Sequence, residues 1–101
     1  MMIAKDEHGY SICARCGKRD TLTKDHFIPK SCRMTVNEEG NYVGLCVLCN
    51  QEKADEFVLP SWYIYLSTEQ QKALNRYVRY CRSWITSRCE DPEMLVYVNE
   101  L

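Results

Sequence analysis

Apolar positions come in short runs through the first half of the chain and at helical spacing through the second. From Thr21 to Ile28 the β-formers Thr, Phe and Ile predict a strand that carries Asp25 and His26 near its end, and Pro29 stops regular pairing. Lys30 to Gly40 is polar, with Asn37, Glu38, Glu39 and Gly40 marking a surface loop. Tyr42 to Leu45 predicts a second strand, antiparallel to the first. Good helix formers without a breaker then run from Val47 to about Glu56, so Cys46 and Cys49 fall at a helix start and Asn50 and Lys53 share one face.

Beyond Pro60 the segment Trp62, Tyr63, Ile64, Tyr65 and Leu66 leads to Ser67, which with Gln70 fits a capping box opening a long helix. Leu74, Tyr77, Val78, Cys81, Trp84 and Ile85 define its buried stripe. Lys72, Arg76 and Arg79 fall on the opposite face, with Arg82 at the flank. Pro92 lies past the helix end, and Met94 to Val98 predicts a short terminal strand. The expected architecture is α+β: a strand, loop, strand, helix core over about 13–56 and a helical C-terminal extension over about 60–101, in one domain.

A chain of 101 residues, 46% hydrophobic, has a core small enough that a metal staple would add usefully to its stability. The longest apolar run, Phe57 to Leu66, contains Pro60 and is too short for a membrane span of about 18 to 20 residues. The N-terminus, with Lys5, Asp6, Glu7 and His8, lacks the apolar stretch of a signal peptide, so a cytoplasmic protein is expected. His8 is expected on a mobile terminus. The net charge of −1 offers no general attraction to nucleic acid. The charges are unevenly placed, however: Arg15, Lys18, Arg19, Lys24, Lys30 and Arg33 face only Asp20 and Asp25 in the same stretch.

Seven cysteines is an odd count for a disulfide scaffold, and four of them form two C-x-x-C pairs, Cys13/Cys16 and Cys46/Cys49. Four thiolates complete a tetrahedral zinc site with no open position, which makes the site structural. Gly17 after the first pair suits a zinc knuckle. Cys32, Cys81 and Cys89 are expected as reduced thiols, with Cys81 a small core hydrophobe. Between the pairs sits Asp25-His26. Alone, such a dipeptide is most often a solvated pair.

Taken together, Cys13-x-x-Cys16, Asp25-His26-x-x-Pro29, Asn41, Cys46-x-x-Cys49-Asn50 and Lys53 resemble the zinc-containing HNH endonucleases of the ββα-metal type. The resemblance implies His26 as general base, since an imidazole can take a proton from water near neutral pH. It implies Asp25 and Asn50 as ligands of a catalytic divalent cation, and their hard oxygen donors suit Mg²⁺ or Mn²⁺. Asn50 stands where many members have His, and an amide oxygen still serves a hard cation. Asn41, which directly precedes the second apolar run as Asn37 does not, would brace the loop carrying the base. Lys53, with Arg15, Lys18 or Lys30, would meet phosphate oxygens. The implied activity is metal-dependent hydrolysis of DNA, as an endonuclease or nickase acting as monomer or homodimer and leaving 5′-phosphate and 3′-hydroxyl ends. The alternative is a zinc-stabilised nucleic-acid- or protein-binding module without turnover.

Overall fold

The computed structural model describes residues 1–29 and 39–101, and the chain runs β1 (Ala4–Lys5), β2 (Ser11–Ile12), β3 (Leu22–His26), β4 (Tyr42–Cys46), α1 (Val47–Lys53), α2 (Thr68–Tyr80), α3 (Arg82–Arg88) and α4 (Pro92–Glu100). Short 3-10 turns lie at Glu39–Asn41 and Pro60–Trp62. Strands β3 and β4 pair antiparallel with Leu22 opposite Cys46 and His26 opposite Tyr42. Four residue steps along such a ladder span about 13 Å. The cysteine end of the hairpin and its His26 end are therefore separate places, and α1 connects them.

All five residues of β4 are buried, so both faces of that strand are covered. Helix α1 is different. It buries only Cys49 and Lys53, while Val47 and Leu48 face solvent. Seven residues are too few for a helix to persist alone, since isolated helices need about 12 to 15. Its hold on the hairpin is polar: thiols at the start, the Asn50 amide in the middle and an ammonium at the finish.

The N-terminal residues are not a loose tail. Met2 donates from its N–H to the Tyr42 carbonyl at 2.7 Å and accepts from Gly44 N–H at 2.9 Å, which adds a short parallel bridge to β4. Strands β1 and β2 then form a hairpin of their own. Its turn is closed by Asp6, whose Oδ1 accepts from the N–H groups of His8 and Tyr10.

In the extension the capping box forms as expected: Gln70 N–H donates to Ser67 Oγ at 3.1 Å, and Ser67 N–H to Gln70 Oε1 at 3.0 Å. The single long helix does not form. It breaks at Cys81 (φ −88°, ψ 6°) into α2 and α3. The break turns Ile85 into the core with Leu74 and Val78 but leaves Trp84 55% exposed, stacked under Arg88 instead of joining the stripe. The expected terminal strand is also corrected. Met94 to Val98 lies inside α4, because Asp91 caps the Glu93 and Met94 N–H groups and Pro92 occupies the first helical position. Met94, Tyr97 and Val98 then face the core at helical spacing. One apolar cluster joins Val43 and Leu45 of the hairpin and the following Phe27 and Ile28 to Tyr63, Leu74, Val78, Ile85, Met94 and Val98 of the extension.

Candidate active site

At one end of the hairpin the ligand atoms of Cys13, Cys16, Cys46 and Cys49 all lie within 4.8 Å of one another. A tetrahedron with Zn–S bonds near 2.3 Å has sulfur–sulfur edges of about 3.8 Å. The Cys16 and Cys46 sulfurs stand 3.8 Å apart, so the cluster has the size zinc requires. The knuckle forms locally: Gly17 N–H donates to the Cys13 carbonyl at 2.9 Å, and Gly17 adopts φ +80°, a conformation that favours glycine. Cys46 also caps α1, its sulfur accepting the Cys49 N–H at 3.5 Å.

The thiols are electrostatically uneven. Burial raises the Cys13 pKa, but backbone N–H groups around its sulfur more than offset this and bring it down to about 7. Burial and the neighbouring thiols push Cys49 strongly upward. Four crowded sulfurs cannot all be thiolates without a cation among them, which is the chemistry of a structural zinc site. Among the described residues, no disulfide forms.

At the opposite end, strand alternation sends Asp25 inward and Lys24 and His26 outward. Asp25 is 2% exposed. Its Oδ1 meets Lys53 Nζ at 3.0 Å, and its Oδ2 accepts from the Tyr63 hydroxyl at 2.5 Å. Burial pushes the Asp25 carboxyl upward, against the opposing pull of Lys53 and Tyr63. Burial and the nearby carboxylate hold the Tyr63 phenol well above its ordinary value, so Tyr63 is a proton donor in this pair.

The sequence places Lys53 on a phosphate, and this is corrected. Its side chain is buried, and besides Asp25 it donates to the His26 carbonyl at 3.2 Å. A helix of seven residues that starts at the cysteine end terminates beside His26, and an inward-facing lysine there has a buried carboxylate to neutralise.

His26 is half-buried and sits edge-on to Tyr42, with ring centres 5.0 Å apart. Asn41 is buried behind it. Its Oδ1 accepts from Ile28 N–H at 2.6 Å, its Nδ2 donates to the Ile28 carbonyl at 3.3 Å, and its own carbonyl accepts from Phe27 N–H at 2.9 Å. One side chain thus pins the turn directly after His26. Asn50 donates from Nδ2 to Thr23 Oγ1 at 2.8 Å and to the Lys24 carbonyl at 3.3 Å, which turns its Oδ1 away from those partners.

Lys24, Asp25, His26, Pro29, Asn50 and Asp55 line one polar cleft of about 180 Å³. The structure therefore brings Asp25, His26 and Asn50 together and sets Asn41 behind them. It adds two residues that sequence reasoning did not select for the site. Lys24 flanks His26 at two-residue strand spacing, its ammonium 4.9 Å from the centre of the Tyr42 ring. Asp55 follows Ala54, which turns the chain at φ 51° after α1 ends. The spacing of Lys24 and His26 could have exposed the first, while nothing local announces the second.

Arg15 is half-buried, with its guanidinium 4.7 Å from the Trp62 ring centre and Nη1 donating to the Trp62 carbonyl at 2.9 Å. Lys18 is exposed. Lys30 lies outside the described residues, as do Cys32, Arg33, Asn37 and Glu38. For a hard cation the donor chemistry fits: a carboxylate and an amide oxygen belong to one cleft, and each carboxylate oxygen keeps a second lone pair beside its existing bond.

A β-hairpin, a crossing helix and a four-cysteine cluster where they meet define a small zinc-stapled ββα core. Residues 13–56 match the HNH endonuclease family model, in line with the ββα frame and the four-cysteine cluster found in that segment. The match covers less than half of the 101 residues. No curated protein and no solved structure matches the chain.

Proposed function

We propose that the protein is a metal-dependent DNA endonuclease or nickase that hydrolyses phosphodiester bonds at the Asp25–His26–Asn50 cleft. The observation that carries this reading is that those three residues line one polar cleft, with Asn41 clamping the turn after His26. His26 takes the proton from the attacking water. Asn41 acts through position, since a clamp on Ile28 restricts the backbone that aims the imidazole. Lys24, beside His26 on the outward face of β3, meets a phosphate oxygen in the role the sequence assigned to Lys53, and exposed Lys18 extends that contact. Asp25 and Asn50 would hold Mg²⁺ or Mn²⁺, which would supply electrostatic stabilisation of charge developing on the phosphate and the leaving oxygen. The structural zinc keeps the helix bearing Asn50 against the strand bearing His26, because Cys49 and Asn50 are adjacent. This reading includes a reducing, cytoplasmic setting in which the thiols are available for zinc.

One observation favours the alternative, a binding module without turnover. The Asp25 charge is already met by Lys53, which weakens its attraction for a second cation. The deciding experiment incubates zinc-loaded protein with supercoiled plasmid, with and without Mg²⁺ or Mn²⁺, and analyses the new ends. Metal-dependent nicks bearing 5′-phosphate and 3′-hydroxyl support the nuclease. Absence of cutting on every DNA form by folded protein assigns the chain to the binding class.

A further inference from the structure

We infer that Tyr63 is a positioning residue for the cleft, supplied by the extension outside the family-matched segment, and that its hydroxyl fixes the Asp25 carboxylate for cation binding. The inference rests on the nuclease reading, but its geometry is independent of it. Tyr63 is fully buried, and its hydroxyl donates to Asp25 Oδ2 while Lys53 holds Oδ1. A carboxylate gripped at both oxygens cannot rotate, so the lone pairs it keeps for a cation point in set directions.

The segment around Tyr63 is itself tied to the knuckle. Tyr65 N–H donates to the Ala14 carbonyl at 2.9 Å, and Arg15 donates to the Trp62 carbonyl at the same distance. The Tyr65 ring lies close against Gly17, where an added Cβ would come within 2.6 Å of it. A run of four residues, Trp62 to Tyr65, therefore grips the first cysteine pair with its ends and Asp25 with Tyr63. The ring of Tyr63 also stacks edge-on with Phe27, the residue after His26, at 6.1 Å. Removing the hydroxyl alone leaves that packing in place.

The test is Tyr63→Phe, with zinc stoichiometry and melting recorded as the fold control. Mn²⁺ binding is followed by electron paramagnetic resonance, alongside kcat and KM on plasmid. Loss of a partner to a metal ligand typically lowers metal affinity or activity about 10- to 100-fold. The expected result is a Mn²⁺ dissociation constant raised at least about tenfold and kcat lowered, with KM for DNA unchanged. A merely structural role would not separate these. Wild-type Mn²⁺ affinity and kcat in a folded Tyr63→Phe would overturn the positioning role while leaving the nuclease reading intact. A wild-type protein that neither binds Mn²⁺ nor cuts would overturn both. Should Tyr63→Phe fail to fold, Mg²⁺ is titrated into wild-type protein carrying ¹³C at the tyrosine hydroxyl carbons. A shift of the assigned Tyr63 signal supports the shared carboxylate, and an unmoved signal at saturating Mg²⁺ overturns it.

Discussion

The two ends of α1 meet the same hairpin by opposite chemistry. At its start, sulfurs crowd within 4.8 Å and need a cation from outside the chain. At its finish, the chain supplies its own cation: Lys53 reaches the buried Asp25, and Tyr63 takes the second oxygen. The helix between them buries almost nothing apolar. A small core can thus be held by polar pinning where hydrophobic area is scarce, and the two pins should fail in different ways.

The largest effect is expected at the cysteine end. Structural zinc is worth about 10 to 16 kcal/mol in small zinc-finger peptides, as much as the whole stability of a typical domain, about 5 to 15 kcal/mol. Cys46→Ser removes a ligand and the α1 cap together. It should abolish zinc binding and cooperative melting, read by metal analysis and circular dichroism; retained zinc with an unchanged melt would erase the contrast.

Next comes Lys53→Met, which leaves the Asp25 carboxylate buried without its ammonium. Breaking a buried pair from one side costs about 3 to 5 kcal/mol. Urea denaturation should show that loss with zinc still bound, and Asp25→Asn added to it should recover part. A cost for the single variant below about 1 kcal/mol, within the range of exposed ion pairs, would mean that the second pin does not hold. Asn41→Ala should cost less, about 1 to 3 kcal/mol, since the buried Ile28 N–H loses its acceptor. The nicking rate should fall with it even below the melting temperature, and an unaffected rate would remove Asn41 from the site. Lys24→Ala should change stability by no more than about 0.5 kcal/mol. Its effect belongs to DNA binding, where the slope of log affinity against log salt should shrink by about one. An unchanged slope would show that Lys24 does not touch phosphate.

What was legible in the sequence follows from how local each signal is. The C-x-x-C pairs, the strands on either side of the loop and the Ser67/Gln70 box depend on neighbours a few residues apart, and all are found. Helix α4 is encoded just as locally, since Asp91-Pro92-Glu93 is a helix start, although the apolar run behind it also suits the strand expected there. The burial of Lys53 was hidden, because a lysine at a helix end looks solvated until its carboxylate partner arrives from another element. Tyr63 was hidden for the same reason, as its spacing speaks of core while its hydroxyl serves Asp25. The pairing of Met2 with β4 bridges some forty residues and leaves no mark in either segment.

The most direct test of the central claim, that zinc holds the frame while the opposite cleft does the chemistry, is plasmid cleavage by His26→Ala beside a zinc count on the same sample. The account predicts wild-type zinc content, an unchanged melt and supercoiled plasmid left intact under Mn²⁺ conditions in which the wild type nicks it. Nicking by His26→Ala at the wild-type rate, or loss of its zinc, would contradict it.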